Sequence, residues 1–133
     1  MAEKELKEKV LAYRILEARI NGLLKNREML VAKLVEIENT IESIKELKKN
    51  DNILFSLGSD TYAFGKLTER KLIMEVGANV AFEKPVEQAL DTLNKKKEEF
   101  ENILKGMEKE ISEVSSALDE LATDLQEISK SQK

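Results

Sequence analysis

The chain contains no cysteine, no histidine and no tryptophan, and only one proline and five glycines in 133 residues. The first two absences remove disulfides, thiol nucleophiles, imidazole bases and zinc sites built on Cys or His ligands. Aromatic residues are scarce: Tyr13, Phe55, Tyr62, Phe64, Phe82 and Phe100. Those from Phe55 to Phe82 stand at strand spacing, which suits packing better than a platform for stacking bases. No window reaches the roughly eighteen continuous apolar residues of a membrane span. No apolar signal core follows Met1, so a cytoplasmic location is expected. Charged residues make up 36% of the chain with a net charge of −4, which disfavours general binding to a phosphate backbone. Neither G-x-x-x-x-G-K-[ST] nor G-x-G-x-x-G occurs. The carboxylates suggest no paired acid–base site, and Ser115, Ser116 and Ser129 have no base near them. Catalysis is not indicated, and no cofactor, metal, nucleic acid or membrane partner is expected.

What the chain does have is two matched heptad ladders. One runs Leu6, Lys9, Tyr13, Leu16, Ile20, Leu23, Arg27, Leu30, Leu34, Ile37, Ile41, Ile44. The other runs Val86, Leu90, Leu93, Lys97, Phe100, Leu104, Met107, Ile111, Val114, Leu118, Leu121, Leu125, Ile128. Spacings of three and four alternate without a stutter, and 22 of the 25 positions are apolar or Tyr. A hydrophobic content of 41% would place only about ten there by chance, so the period points to coiled coil. At about 1.5 Å per residue each helix is roughly 63 Å long, too long for a compact globule of this mass. A central core is thereby confined to residues 53–84, a unit small enough to favour oligomerisation.

That middle stretch reads as four short β-rich runs, Ile53–Leu57, Thr61–Leu67, Leu72–Val76 and Val80–Glu83. Gly58-Ser59-Asp60 and Gly77-Ala78-Asn79 have hairpin-turn chemistry, giving two consecutive β-hairpins. The first helix ends near Lys49, where Asn50-Asp51-Asn52 breaks the pattern. The second starts at Pro85, a favoured first-turn residue, with Glu87 set against the helix dipole. The expected fold class is α+β: a long antiparallel coiled-coil hairpin (helices 1–49 and 85–130) with two β-hairpins (53–84) at its apex that join an oligomeric β-barrel platform. Unpaired strand edges and the residues Ile53, Phe55, Leu57, Tyr62, Phe64, Leu72, Met74, Val76, Val80 and Phe82 are the expected oligomerisation surface, as barrel interior.

The helices pair with each other when opposite residue numbers sum to 134, because every a position then meets a d position. Lys9 falls opposite Leu125, Arg27 opposite Met107 and Lys97 opposite Ile37, so the polar stems lie on the seam while their charges reach water. Such positions fix register at a cost in stability. Residues 3–27 carry seven basic side chains against four acidic ones, whereas 108–127 carry seven acidic ones against Lys109 alone. That asymmetry selects the intramolecular hairpin more than it holds it. Gly22 and Gly106 both fall at outward c positions, either as tolerated surface glycines or as sites of a local bend; each costs about 1 kcal/mol relative to Ala.

One group departs from the solvated exterior. Val10, Leu11 and Ile15 occupy e, f and c positions near the start of the first helix, and the seam does not need Leu11 or Ile15. With Leu6, Tyr13 and Leu125, which open when the last turns fray, they form a candidate grip on apolar segments of other proteins.

Helix, two hairpins, helix, with equal arms, resembles the alpha-class subunits of prefoldin, the ATP-independent archaeal and eukaryotic cochaperone. The most specific residues are Ile53-Leu54-Phe55-Ser56-Leu57-Gly58, then Phe64-Gly65-Lys66, then Ile73 through Lys84, then Val86-Glu87-Gln88-Ala89. Ser56 stands where a strand proline is usual and Asn79 where a second glycine is usual. Asn tolerates left-handed turns, while Ser56 restores a backbone N–H in the strand. The resemblance implies two alpha with four beta subunits, paired β-barrels bearing six coiled coils, and unfolded client proteins held at the distal ends and passed to a group II chaperonin. Two other readings stay open: a filament or scaffold polymerised through the β region, and a coiled-coil tether between partners.

Overall fold

A computed structural model describes residues 2–49 and 52–131. Its elements are α1 (Ala2–Lys49), β1 (Ile53–Gly58), β2 (Thr61–Gly65), β3 (Lys71–Gly77), β4 (Val80–Pro85) and α2 (Val86–Ser131). The coiled-coil hairpin with two β-hairpins expected from the sequence is the observed fold. The expected break at Asn50 and Asp51 lies outside the described residues. Pro85 closes β4 opposite Lys71, so α2 begins one residue later than its proline suggested. The Val86 N–H donates to the Arg70 carbonyl at 3.1 Å, which occupies one of the amides that a helix start leaves unpaired.

Every ladder residue of both helices is at least partly buried, whereas most neighbouring positions are exposed. Both helices run unbroken through Gly22 and Gly106. The chain divides into two compact units, one formed by the chain up to Ala32 together with the chain from Glu101 onward, the other by Lys33–Phe100.

The Lys33–Phe100 unit holds most of the well-buried side chains. Ile37, Ile41 and Ile44 of α1 pack with Val86 and Leu93 of α2, and Leu67, Leu72, Met74, Leu90 and Phe100 close over them. Leu67 lies beyond the end of β2 rather than within it, because the chain leaves the ladder at Gly65 to reach this core. In the other unit Val114 is the single ladder residue buried to this degree among those described. Two helices alone cannot surround their seam, so its side chains stay half-buried.

The two hairpins share one turn design. Gly58 and Gly77 sit at φ 97° and 99°, each followed by two residues in the left-handed region: Ser59 and Asp60, then Ala78 and Asn79. Two positive-φ residues match the right-handed twist of the strands, and Asp and Asn adopt that conformation more readily than other side chains. A bulge precedes each glycine, at Leu57 and at Val76. In the first, the Gly58 N–H donates to Ser56 Oγ at 3.3 Å, so the Ser56 side chain partners the amide beside the bulge. Each hairpin is a separate two-stranded sheet.

Candidate functional site

Three features of the unit formed by the chain ends bear on function. The first is how the polar seam residues are satisfied. Lys9 Nζ donates to Asp124 Oδ2 at 3.2 Å and Arg27 to Glu108 Oε2 at 3.4 Å, while Arg19 pairs with Glu110. The hydrogen bond to Asp124 holds the Lys9 ammonium above the ordinary lysine pKa, against a smaller opposing effect of burial, with the charges of Asp124 and Glu5 adding to the rise. In the Lys33–Phe100 unit, Lys97 Nζ lies 3.7 Å from Glu38. All three polar seam residues therefore reach a carboxylate on the opposite helix, each on the neighbour of the residue expected opposite it.

The second feature is a groove of about 350 Å³ lined by Leu6, Lys7, Val10, Leu11 and Arg14. Its floor is apolar and its rim is basic. The structure brings together three of the six residues expected to grip other proteins, Leu6, Val10 and Leu11. Tyr13 and Leu125 lie half-buried on the seam, and Ile15 stands outside the groove, 59% exposed on the outward face, with Leu11 at 60%. The third feature is an extension of that outward face, since Met29 is also 59% exposed.

The hairpins supply the other candidate surface. In the first, Leu54 pairs with Phe64 and Ser56 with Tyr62, so these four share a face; Ile53, Phe55, Ala63 and Gly65 share the other. Phe64 is 84% exposed, and Leu54 and Tyr62 are also open. Phe55 lies over Gly65, where a Cβ would come 2.6 Å from Phe55 Cε2, so only glycine admits the ring. The sequence places Phe55, Leu57 and Phe64 together among the residues expected in a barrel interior. Register puts the two phenylalanines on opposite faces, and Leu57 stands in the bulge.

The second hairpin differs. Leu72 and Met74 are partly buried against the helix core of their own chain. Val76 occupies the bulge, while Val80 and Phe82 are exposed. Leu54 and Ile73, both exposed, were missed as surface residues because strand alternation alone does not say which hairpin face covers the helices. Beside β1, Ser43, Glu46 and Leu47 of α1 and residues Asn52–Phe55 line a depression of about 550 Å³. Among the described residues no acidic cluster has the makings of a metal site, and no helix is long and apolar enough to cross a membrane.

The family profile described as Prefoldin subunit matches residues 16–131. The chain is 26% identical to Prefoldin subunit alpha of Pyrococcus horikoshii, across 97% of this chain and 90% of that protein. It is likewise 26% identical to Prefoldin subunit alpha 1 of Methanocaldococcus jannaschii, across 99% of this chain and 93% of that one. A cryo-EM structure of filamentous PFD from Methanocaldococcus jannaschii has the same fold, with a TM-score of 0.70 at 24% identity over 89% of this chain and 98% of that chain.

Proposed function

The chain belongs to the prefoldin family of chaperones, and from that premise we propose that it is the alpha-type subunit of a cytoplasmic hetero-oligomer that holds non-native proteins without ATP and passes them to a group II chaperonin. It carries out no catalysis in this reading. Beta-class subunits complete the assembly, and the hairpins make the contact. The open face of Leu54, Tyr62 and Phe64, together with the unpaired outer edges of both two-stranded sheets, supports that role.

The observation that carries the holdase reading is the apolar groove of Leu6, Val10 and Leu11 beside exposed Ile15. Non-native chains present varied apolar segments, so a shallow grip repeated across subunits gains affinity by multivalency rather than by fit. A half-buried seam, with Lys9 in it, lets the last turns open and adds Tyr13 and Leu125 to the grip. Replacing Leu11 and Ile15 together by Ser is expected to reduce protection of an aggregating client while the native mass of the oligomer stays unchanged. Removing residues 1–15 and 121–133 abolishes protection. Full protection by the truncated assembly contradicts the reading.

Self-assembly into a filament is the second reading. A protein of the same fold is described as filamentous PFD, and both hairpins of this chain leave edges open. Native mass of the chain alone, and mixed with a beta-class subunit, separates the two: a polymer without the partner favours the filament.

A further inference from the structure

The outward face of α1 carries a second heptad stripe that the seam does not use. Leu11, Ile15, Ala18, Gly22, Lys25, Met29 and Ala32 follow one another at spacings of four and three, at alternating f and c positions, and every one of them is exposed. Six of the seven are apolar or lack a polar side chain. The stripe covers about 32 Å of helix, six turns. On α2 the matching positions in the same unit are Asn102, Gly106, Lys109, Glu113, Ser116, Glu120, Thr123 and Glu127, a polar face. An ordinary solvated coiled coil is polar on both outer faces, so the stripe belongs to α1 alone.

The charges around it are also one-sided. Lys9, Arg19 and Arg27 are engaged across the seam with Asp124, Glu110 and Glu108. Lys4, Lys7, Arg14 and Lys25 lie on or beside the stripe and make no ion pair among the described residues, against Glu8 and Glu28 on the same side. The local surface is basic although the whole chain carries −4.

We propose that this face of α1 docks an amphipathic helix whose apolar stripe is flanked by acidic residues, supplied by another protein. The three-four spacing accepts the knobs of a helix, whereas an extended strand repeats every second residue. Ala18 and Gly22 form a low saddle in mid-stripe, between Leu11 and Ile15 on one side and Met29 on the other, and a Cβ added at Gly22 meets open space. A second copy is a poor occupant by either of its arms. Its own stripe repels through like charge, and the acidic arm of α2 offers no apolar face. The inference extends the grip to residues that the Leu11 and Ile15 variants leave intact, so the two can fail separately.

The test uses the full-length chain in its native assembly and labelled peptides of about 22 residues. One carries a leucine stripe flanked by Glu, one the same stripe flanked by Lys, and one is a scrambled form of the first. Fluorescence anisotropy at low salt is expected to show binding of the Glu helix, against the sign of the net charge. Gly22→Gln with Met29→Ser weakens it about fivefold or more. Gln is a better helix former than Gly, so an unchanged or stronger helix signal shows that the loss is not unfolding. Lys25→Glu with Arg14→Glu reduces the preference for the Glu peptide over the Lys peptide. Equal binding of the scrambled peptide, indifference to Gly22→Gln with Met29→Ser, or a native mass that falls in that variant without any peptide each overturns the proposal, the last by making the stripe a contact between subunits.

Discussion

The two units of this chain use the same helices and the same ladder, yet they are not equally well packed. In Lys33–Phe100 six seam residues are buried, Leu34, Ile37, Ile41, Ile44, Val86 and Leu93, and Leu67, Leu72 and Met74 pack against the cluster that all but Leu34 form. Where the chain ends pair, only helix faces helix, the ladder admits two polar residues, Lys9 and Arg27, against Lys97 alone in the other unit, and Val114 alone among its ladder residues reaches comparable burial. The difference comes from the third layer that the hairpin and its approach loop supply. One unit is built to stay folded and to present edges and an open hairpin face. The other has a half-wet seam edged by exposed ion pairs that add little to stability, and presents apolar groups on its surface. On the proposed function, assembly and grip fall to regions of different local stability.

The sharpest way to break this comparison is to charge each hairpin in turn. Met74→Asp places an unpaired carboxylate against the Ile37–Ile41 core and is expected to cost about 3 kcal/mol or more, with loss of cooperative unfolding by circular dichroism. Phe64→Asp sits on an open face, so helix signal survives while native mass drops to that of smaller species. Equal loss of helix in both variants contradicts the assignment of one hairpin to the core and the other to the interface.

The seam offers a smaller contrast. Ile41→Ala is expected to cost about 2–4 kcal/mol, and Ile20→Ala about half as much, since Ile20 has water on one side already. Matching losses in chemical denaturation would remove the distinction between the units. Gly65→Ala brings a methyl group within 2.6 Å of Phe55 and is expected to cost about 1–3 kcal/mol unless the ring turns away. Gly65→Ala with Phe55→Leu relieves that clash and recovers part of the loss.

The smallest effect is electrostatic. Because the folded pKa of Lys9 is raised, chiefly by its hydrogen bond to Asp124, its contribution is fully present below the ordinary lysine value and is lost as pH rises through the folded one. As pH rises above about 10.4, the ordinary lysine value, the unit of the chain ends should lose more stability in the parent than in Lys9→Met. An identical alkaline profile in the two proteins indicates that the pair contributes nothing.

Much of this was legible in the residues. The ladders gave both helices and their mutual register, since each a or d position is set by local spacing and the polar exceptions announce themselves. The turns at Gly58 and Gly77 gave both hairpins. What alternation could not give was the facing of the strands. The bulges at Leu57 and Val76 take those residues out of the ladder, and whether Met74 or Phe64 points at the helices depends on how the loop from Gly65 to Lys71 returns, which no periodicity encodes. Leu11 and Ile15 were visible as misfits at the start of α1. Met29 was not, because Lys25 and the small residues Ala18 and Gly22 hide the continuity of the stripe from any count of large apolar side chains.

Hydrogen exchange on the intact assembly, with and without an aggregating client, tests the division of labour most directly. The account predicts slow exchange at amides of residues 34–44 and 87–93, exchange at least about tenfold faster at residues 6–27, and client-induced slowing confined to the chain-end unit, strongest around residues 6–15. Uniform protection along α1, or client-induced slowing within the hairpins at residues 53–84, would contradict it.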